Sequence, residues 1–294
     1  MTLRIATRGS PLARWQAEHV AGLLGEDVTL VVIETTGDRR QDVPIWEMGG
    51  RGVFVKAVQA ARLDGRADVA VHSAKDLPSA PVPGLVIGAV PTREDARDAL
   101  VGSRLDDIPT GAEVATGSVR RRAQLAAYRP DLTFAGLRGN IDTRLAKAGE
   151  FAAIVVAAAA LIRLGKADRA SEILAPDVML PQVAQGALAV ECRDDDDATM
   201  ARLAGIEHGP SRAAVDAERA FLAELGGGCD LPVGALALAE GAGRLTLTGL
   251  RASLDGRIVL RHAATGRDGP ALGRAVARHL LDDAGGAALL EDIR

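Results

Sequence analysis

Short apolar runs alternate with amphipathic segments along the first two thirds of the chain. Runs rich in Val, Ile, Leu and Ala predict strands at residues 3–7, 28–35, 68–73 and 85–90. Between them, residues 11–24 and 53–63 have helical spacing; Phe54, Val58 and Ala61, for example, fall on one face. Such alternation is typical of parallel strands covered by helices. The pattern therefore predicts an α/β fold with mainly parallel sheets.

The same rhythm continues beyond a polar stretch at residues 91–98, which we interpret as a hinge. Strands are predicted at 112–118 and 186–192, and helices at 119–128 and 140–148. Residues 151–161 are apolar throughout, so their pattern fits either a strand or a buried helix. The acidic run at 194–197 is interpreted as a solvated loop.

The pattern changes at about residue 209, where alternating strands replace the apolar runs. A helix over 212–225 is followed by three alternating segments and a last helix; the three segments are 234–240, 244–253 and 257–265, and the helix is 271–283. Consecutive alternating strands are typical of an antiparallel sheet with one face on a core. This part therefore predicts a small α+β domain.

Composition narrows the classes of function. The 294 residues are 48% hydrophobic, which excludes a disordered chain, and the net charge of −4 argues against general nucleic-acid binding. The longest apolar run, residues 151–162, is too short to span a membrane, and the first residues lack the apolar core of a signal peptide. The two cysteines and five scattered histidines offer no metal-ligand spacing. We expect a cytoplasmic protein without a metal.

Arginines occur at unusual places, directly after predicted strands. In "TGSVRRRAQL", Ser118 is a candidate N-cap, and Arg120, Arg121 and Arg122 occupy the first helical turn. Positive charge there opposes the helix dipole, so the residues form either a solvated basic surface or an anion site.

Two further strand-to-helix junctions have the same character. "LRGNIDTRL" contains Arg138 and Arg144, and "ATRGSPLA" places Arg8 before a helix capped by Ser10. In open α/β sheets, ligands bind at the carboxyl ends of the strands. Three such junctions predict a ligand with several carboxylates or phosphates.

Candidate chemistry lies in two other segments. "VHSAKDLPS" follows a strand with Lys75 and Asp76 on a turn, either as an exposed ion pair or as a general acid–base site near the arginines. "ELGGGCDLPVG" presents Cys229 on a glycine-rich turn, where a bulky group has room to attach to sulfur. Cys192 ends an apolar strand and is interpreted as a buried small hydrophobe.

Taken together, these segments resemble the porphobilinogen deaminase family, also called hydroxymethylbilane synthases. The resemblance covers nearly the whole chain and runs, in order, through "LRIATRGSPLA", "GGRGVFVK", "ADVAVHSAKDLP", "TGSVRRRAQL", "LRGNIDTRL", "LIRLG", "LPQVAQGALAVECR" and "ERAFLAELGGGCDLPVG". It implies two periplasmic-binding-protein-like domains with mainly parallel sheets and a small C-terminal α+β domain with an antiparallel sheet. The implied bounds are 1–92 with 187–206 for domain 1, 93–186 for domain 2 and 207–294 for domain 3.

The resemblance also implies an activity. Members deaminate porphobilinogen and join four units head to tail into hydroxymethylbilane, on a dipyrromethane cofactor made from the substrate. The cysteine that matches Cys229 would hold that cofactor through a thioether. Porphobilinogen and the growing polypyrrole chain would be the partners of a monomer that binds neither nucleic acid nor membrane.

Matching motifs imply roles for individual residues. Asp76 would be the catalytic carboxylate. The residues implied to contact the cofactor, besides Cys229, are Ser73, Lys75, Ser118, Arg120, Arg121 and Gly186. The residues implied to hold substrate are Arg8, Ser10, Lys56, Arg138, Arg144 and Arg163. Arg122 lies outside the matching arginine pair, so it is expected to face solvent.

The chain departs from the family pattern at three positions: Arg51 replaces a frequent lysine, Gly117 replaces a hydroxyl residue and Ala160 replaces a glycine. None of these positions is Cys229, Asp76 or an arginine of the pair, so activity is expected. Two alternatives remain: a two-lobed anion- or solute-binding protein, and a homologue that has lost turnover.

Overall fold

The computed structural model of the chain describes residues 2–25, 27–35, 55–226 and 231–293. The strands are β1 (Leu3–Arg8), β2 (Val28–Ile33), β3 (Val69–Ser73), β4 (Leu85–Ala89), β5 (Asp98–Gly102), β6 (Glu113–Ala115), β7 (Thr133–Ala135), β8 (Ala153–Ala157), β9 (Glu172–Ile173), β10 (Leu188–Arg193), β11 (Val233–Gly241), β12 (Arg244–Ala252) and β13 (Val259–Gly266). The α-helices are α1 (Pro11–Leu24), α2 (Lys56–Leu63), α3 (Val119–Tyr128), α4 (Ile141–Ala146), α5 (Ala158–Arg163), α6 (Asp197–Leu203), α7 (Gly209–Glu224) and α8 (Gly269–Arg278).

The chain divides into two compact units. The first unit comprises Met1–Glu94 and Gly186–Arg212, and the second comprises Asp95–Gln185 and Ala213–Arg294. Each contains a five-stranded sheet, and the second also contains a three-stranded sheet.

The first unit is built on a sheet of order β2-β1-β3-β10-β4. β1 pairs in parallel with β2 and β3, whereas β10 is antiparallel to both of its neighbours. Alternate side chains of β1 enter different cores: Leu3 and Ile5 pack with Ala17 and Val20 of α1, and Ala6 packs against α2. Helices thus cover both sides of the sheet, as expected for near-continuous apolar strands.

The second unit repeats this plan with the order β7-β6-β8-β5-β9. β6 is parallel to β7 and β8, and β5 runs antiparallel to β8 and β9. Ile154 and Val156 of β8 face one core, while Ala153 and Val155 face the other. Strand β8 is therefore buried on both faces.

The third sheet is an antiparallel meander of order β11-β12-β13. Leu236 and Leu250 of this sheet pack with Ala123 of α3 in one buried cluster within the second unit. These sheets confirm the predicted α/β class, with two sheets of mainly parallel strands and one antiparallel sheet.

Several local expectations needed correction. The stretch 91–98 is not only a connection, because Asp98 begins the antiparallel strand β5. Residues 151–161 contain both predicted alternatives, since β8 ends at Ala157 and α5 begins at Ala158. The acidic run is not only a loop: Asp196 accepts a hydrogen bond from the Thr199 amide and caps α6. The last α-helix ends at Arg278 and continues as a π-helical turn.

In the described part of the chain, none of the helices combines the length and apolar character that crossing a membrane requires.

Candidate functional site

Asp76 lies on a short 3₁₀ turn, Ala74–Asp76, directly after β3 in the first unit. The turn is anchored by its backbone: the Ala74 amide donates to the Ala187 carbonyl at 3.0 Å, and the Leu77 amide closes the turn on the Ala74 carbonyl. The Asp76 side chain is half-buried. It has no hydrogen-bond or ion-pair partner among the residues that the structure describes. A carboxylate on an anchored backbone is therefore available to a ligand.

Ser73 sits at the end of β3 and is held by a residue that the sequence analysis missed. Gln16 of α1 is buried, and its side-chain amide donates to the Ser73 hydroxyl at 2.9 Å. The sequence feature that could have identified Gln16 is its position on the same helix face as the buried Ala17 and Val20. A polar residue on such a face needs a partner.

The remaining candidates of the first unit flank the same edge of the sheet. β1 and β3 are parallel neighbours, so Arg8 and Ser73 both lie at carboxyl ends of adjacent strands. Ser10 caps α1 by accepting from the Ala13 amide at 3.3 Å. Lys56 is exposed and is the first residue of α2.

Gly186 precedes β10 at this edge, because Leu188 of the antiparallel β10 pairs with Ser73. Its φ of 85° lies in the left-handed region, which glycine adopts without strain. Its carbonyl accepts from the Glu94 amide at 3.0 Å. The position thus requires glycine for its backbone conformation.

The arginine run of the second unit begins α3, as predicted. The Ser118 side chain caps this helix by accepting from the Arg121 amide. Arg120 and Arg121 are 3% and 5% exposed, whereas Arg122 is exposed at the surface. The expectation that Arg122 faces solvent is confirmed, and the interpretation of the whole run as a solvated basic face is wrong.

The two buried arginines meet Asp98, which is 0% exposed at the start of β5. Arg121 donates to Asp98 Oδ1 from Nε (3.0 Å) and Nη2 (2.7 Å), and to the Val155 carbonyl from Nη1 (2.9 Å). Arg120 Nη1 lies 2.8 Å from Asp98 Oδ2 and donates to the Leu180 carbonyl at 2.7 Å. Arg120 Nε and Nη2 have no hydrogen-bond partner within the part of the chain that the structure describes.

Electrostatics keep this cluster charged. Burial by itself raises the pKa of Asp98, but the charges of Arg120 and Arg121 outweigh it and hold that pKa well below its usual range. Burial lowers the pKa of Arg120, which Asp98 opposes, and a guanidinium remains protonated at neutral pH. Two cations and one anion are therefore buried together.

The other arginines of the second unit occupy the neighbouring junctions. β6, β7 and β8 are parallel neighbours, so the segments that follow them share one edge of the sheet. Arg138 is half-buried after β7, and Arg144 of α4 donates from Nε to the Gly139 carbonyl at 2.9 Å. Arg163 is buried at the end of α5, which follows β8. Within this unit the structure thus brings the predicted arginine junctions to one edge.

The two cysteines have separate outcomes. Cys229 lies outside the described residues, as does Arg51. Cys192 is 0% exposed in the core of the first unit, and burial raises the pKa of its thiol to about 11. The interpretation of Cys192 as a buried hydrophobe is confirmed, and such a thiol is a poor nucleophile at neutral pH.

Gly117, one departure from the family pattern, occupies a narrow place between two junctions. A Cβ built there would lie 2.6 Å from the Leu137 carbonyl oxygen, so a side chain requires the backbone to shift. The absence of a Cβ at this position therefore allows the chain before Ser118 and the chain before Arg138 to approach closely.

The donor set of the second unit fits a ligand that carries carboxylates. Arg120 is a buried cation whose Nε and Nη2 find no partner in the described ranges, and the Nε–Nη2 edge of a guanidinium matches the two oxygens of a carboxylate. An acid-bearing dipyrromethane satisfies that requirement.

Comparison with known proteins identifies the family. Residues 3–201 match the family described as "Porphobilinogen deaminase, dipyromethane cofactor binding domain", and residues 213–282 match "Porphobilinogen deaminase, C-terminal domain". The two matches together leave few described residues outside the family pattern.

Relatives named porphobilinogen deaminase include one from Acidothermus cellulolyticus, 51% identical over 95% of this chain and 88% of its own length. Another, from Brevibacillus brevis, is 45% identical over 99% of this chain and 97% of its own. Among solved structures, a periplasmic sulfonate-binding protein from Methylobacillus flagellatus KT has a TM-score of 0.37 at 14% identity, over 74% of this chain and 67% of that one. At that score no conclusion follows from the structural likeness. The sequence matches show that the chain belongs to the porphobilinogen deaminase family, transferases of tetrapyrrole biosynthesis.

Proposed function

We propose that this chain deaminates porphobilinogen and joins four units head to tail into hydroxymethylbilane, with Asp76 as the catalytic carboxylate. The observation that carries this assignment is the Asp76 side chain, which has no partner among the described residues although the backbone beneath it is anchored. A side chain in that state is ready to accept a hydrogen bond from a pyrrole N–H.

The chemistry requires such a group. Loss of ammonia from porphobilinogen leaves positive charge on the pyrrole, and formation of the new carbon–carbon bond then releases a proton. A fixed carboxylate beside the ring nitrogen stabilises that charge and can take up the proton. Lys75 is half-buried on the same turn, and Ser73 is oriented by Gln16, so both are assigned to the cofactor's polar groups.

The arginines are assigned to acidic side chains of the pyrroles. Each porphobilinogen carries an acetate and a propionate, so a growing chain needs many cationic partners, preferably bidentate ones. The residues proposed to contact the cofactor are Ser118, Arg120, Arg121 and Gly186. Those proposed to hold substrate are Arg8, Ser10, Lys56, Arg138, Arg144 and Arg163.

Cys229 is proposed as the attachment point of the dipyrromethane, which, when bound, supplies the carbon to which the first substrate unit is joined. The buried, weakly acidic Cys192 is unsuited to that role. The proposal retains the three predicted domains, 1–92 with 187–206, 93–186 and 207–294, and a cytoplasmic monomer. Sedimentation of the holoprotein tests the monomer.

The Asp76→Asn variant tests the catalytic assignment. The amide keeps the shape but neither carries negative charge nor takes up a proton, so the rate of enzyme–substrate adduct formation should fall by about 10²- to 10⁴-fold. Adducts are followed by intact mass in a single turnover, with protein already shown to contain the cofactor. The control is Asp64→Asn, the same change at an exposed position of the first unit. Adduct formation at the parent rate in Asp76→Asn would exclude Asp76 from the mechanism.

Intact mass also tests the attachment site. The purified chain should exceed its sequence mass by two linked pyrroles, Cys229→Ser should lack that increment, and Cys192→Ser should retain it. An increment that disappears with Cys192 instead would show that the attachment cysteine is wrongly assigned.

A further inference from the structure

Asp98 is the centre of a buried polar cluster that no motif in the sequence indicated. Besides its contacts with the two arginines, its Oδ1 accepts a hydrogen bond from Gln185 Nε2 at 2.9 Å. All of these groups belong to the second unit, where β5 begins beside the end of β8 because Asp98 pairs with Ala157. A single carboxylate thus contacts three side chains from separate parts of the chain.

The charges of the cluster do not balance. Among the described residues, Arg120 and Arg121 contribute two positive charges and Asp98 contributes one negative charge, while the other contacts of the two guanidinium groups are to the neutral carbonyls of Leu180 and Val155. An uncompensated charge in the interior is strongly unfavourable. The surplus positive charge therefore calls for one further anion.

The two arginines differ in which of their guanidinium nitrogens remain available to a ligand. Each of the three nitrogens of Arg121 already donates one hydrogen bond, to Asp98 or to a backbone carbonyl. Among the residues that the structure describes, Arg120 is held only through Nη1, and its Nε and Nη2 have no partner there although the residue is 3% exposed. These two nitrogens form one edge of the guanidinium, the edge that grips both oxygens of a carboxylate.

We propose that Asp98 is a positioning residue for the arginine pair: it anchors the Nε–Nη2 edge of Arg121 and orients the free edge of Arg120 toward one carboxylate of the dipyrromethane. This inference rests on the proposed function for the identity of the ligand. Without the Asp98 charge, two adjacent cations repel each other, and the orientation of Arg120 is lost.

Replacing Arg120 and replacing Arg121 should have different effects on the stability of the apoprotein. Arg120→Leu leaves one cation facing one anion, and the Leu180 carbonyl still accepts from Gln124 Nε2 at 3.0 Å. Arg121→Leu removes the two hydrogen bonds that the Arg121 guanidinium donates to Asp98 Oδ1, and its bond to the Val155 carbonyl. The melting temperature of the Arg120→Leu apoprotein should therefore equal or exceed that of the parent apoprotein, and that of Arg121→Leu should be lower.

The Asp98→Asn variant tests positioning directly. Apoprotein, expressed in cells that make no porphobilinogen, is incubated with porphobilinogen, and cofactor assembly is followed by intact mass. The half-saturating porphobilinogen concentration should rise about 10-fold or more, since a charge-assisted bond to the ligand is lost. Asp98→Glu, which restores the charge, should recover part of this loss. The control is Asp95→Asn, three residues before Asp98 in the sequence. It removes a surface ion pair with Arg97, so this variant should assemble cofactor like the parent.

The measurements are made below the melting temperature of every variant, so that loss of fold does not enter. A half-saturating porphobilinogen concentration equal to that of the parent in folded Asp98→Asn would overturn the positioning role. Equal destabilisation by Arg120→Leu and Arg121→Leu would overturn the claim that Asp98 anchors Arg121 more firmly than Arg120. If the parent itself gained no pyrrole mass, the proposed function would fail, while the apoprotein melting temperatures would still decide between the two arginine roles.

Discussion

Glu218 joins three parts of the second unit, and its replacement should be strongly destabilising. It lies on α7 with 0% exposure, and its carboxylate accepts from the Ala184 amide at 2.6 Å and from the Ala237 amide of β11 at 2.8 Å. Ala184 has a φ of 59°, unusual for a residue other than glycine, and precedes Gln185, the partner of Asp98. Glu218 thus stabilises a strained backbone next to the arginine cluster.

The Glu218→Gln variant allows the magnitude to be worked out. A hydrogen bond to a charged group contributes about 1.5–3 kcal/mol. Glutamine keeps one acceptor oxygen but turns an NH₂ group toward the other amide, so one bond is lost, the second weakens, and one buried N–H has no acceptor. We expect the free energy of unfolding to fall by about 2–4 kcal/mol, which at an m-value of about 2 kcal/mol/M lowers the urea midpoint by about 1–2 M.

The assay is urea unfolding of the apoprotein, followed by circular dichroism. The matched control is Glu224→Gln on the same helix, which removes a solvent-accessible ion pair with Arg278. Such pairs contribute about 0–1 kcal/mol, so its midpoint should stay close to that of the parent. A Glu218→Gln midpoint equal to that of Glu224→Gln would refute the reasoning that the buried carboxylate holds the two amides.

Three further outcomes are expected. Gly256→Ala should lower the free energy of unfolding by about 2–5 kcal/mol, because φ is +75° and the new Cβ would lie 2.2 Å from the Ala123 carbonyl oxygen. Gly243→Ala is the control: its φ of +70° imposes the same backbone strain, but its Cβ would enter open space, so this variant measures the strain without the steric clash. In a Cys229→Ser background, Cys192 should react with an aromatic disulfide reagent only after addition of urea, since its pKa is about 11 and it is buried; rapid labelling of the native chain would contradict this. Because the pKa of Asp98 is depressed below the unfolded value of about 3.9, its contribution to stability is complete above about pH 5 and is lost as the pH falls through the folded pKa. Parent apoprotein should therefore lose more stability between pH 5 and 3 than the Asp98→Asn variant, as measured by urea midpoints, and equal losses would contradict this assignment.

The local sequence pattern was sufficient to predict those elements that depend only on residues close together in the chain. Ser10 and Ser118 cap the helices that they were expected to cap, because an N-cap bond joins residues only three positions apart. The exposure of Arg122 was expected from the resemblance, which matches only Arg120 and Arg121 to the arginine pair of the family. Parallel strands and their carboxyl-end junctions followed from the alternation of apolar runs with helices.

Where one local pattern fits both a strand and a helix, the sequence did not decide between the two. Residues 151–161 are apolar throughout, and only the packed sheet decides that the strand ends at Ala157 and the helix begins at Ala158. Pairing of β8 with β5 stops at Ala157 opposite Asp98, so the following residues satisfy their backbone groups by forming a helix.

The contacts of the arginine cluster depended on the tertiary structure alone. Asp98 stands in a stretch that looks like a polar hinge, and its partners Arg120 and Gln185 lie 22 and 87 positions away in the chain. The antiparallel direction of β5 brings Asp98 to the edge where α3 begins, and apolar periodicity does not encode that direction. The sequence alone determined which residues carry charge and which faces are apolar; the tertiary structure decided which charges meet, because ion pairs between distant segments form only after the sheet has set their positions.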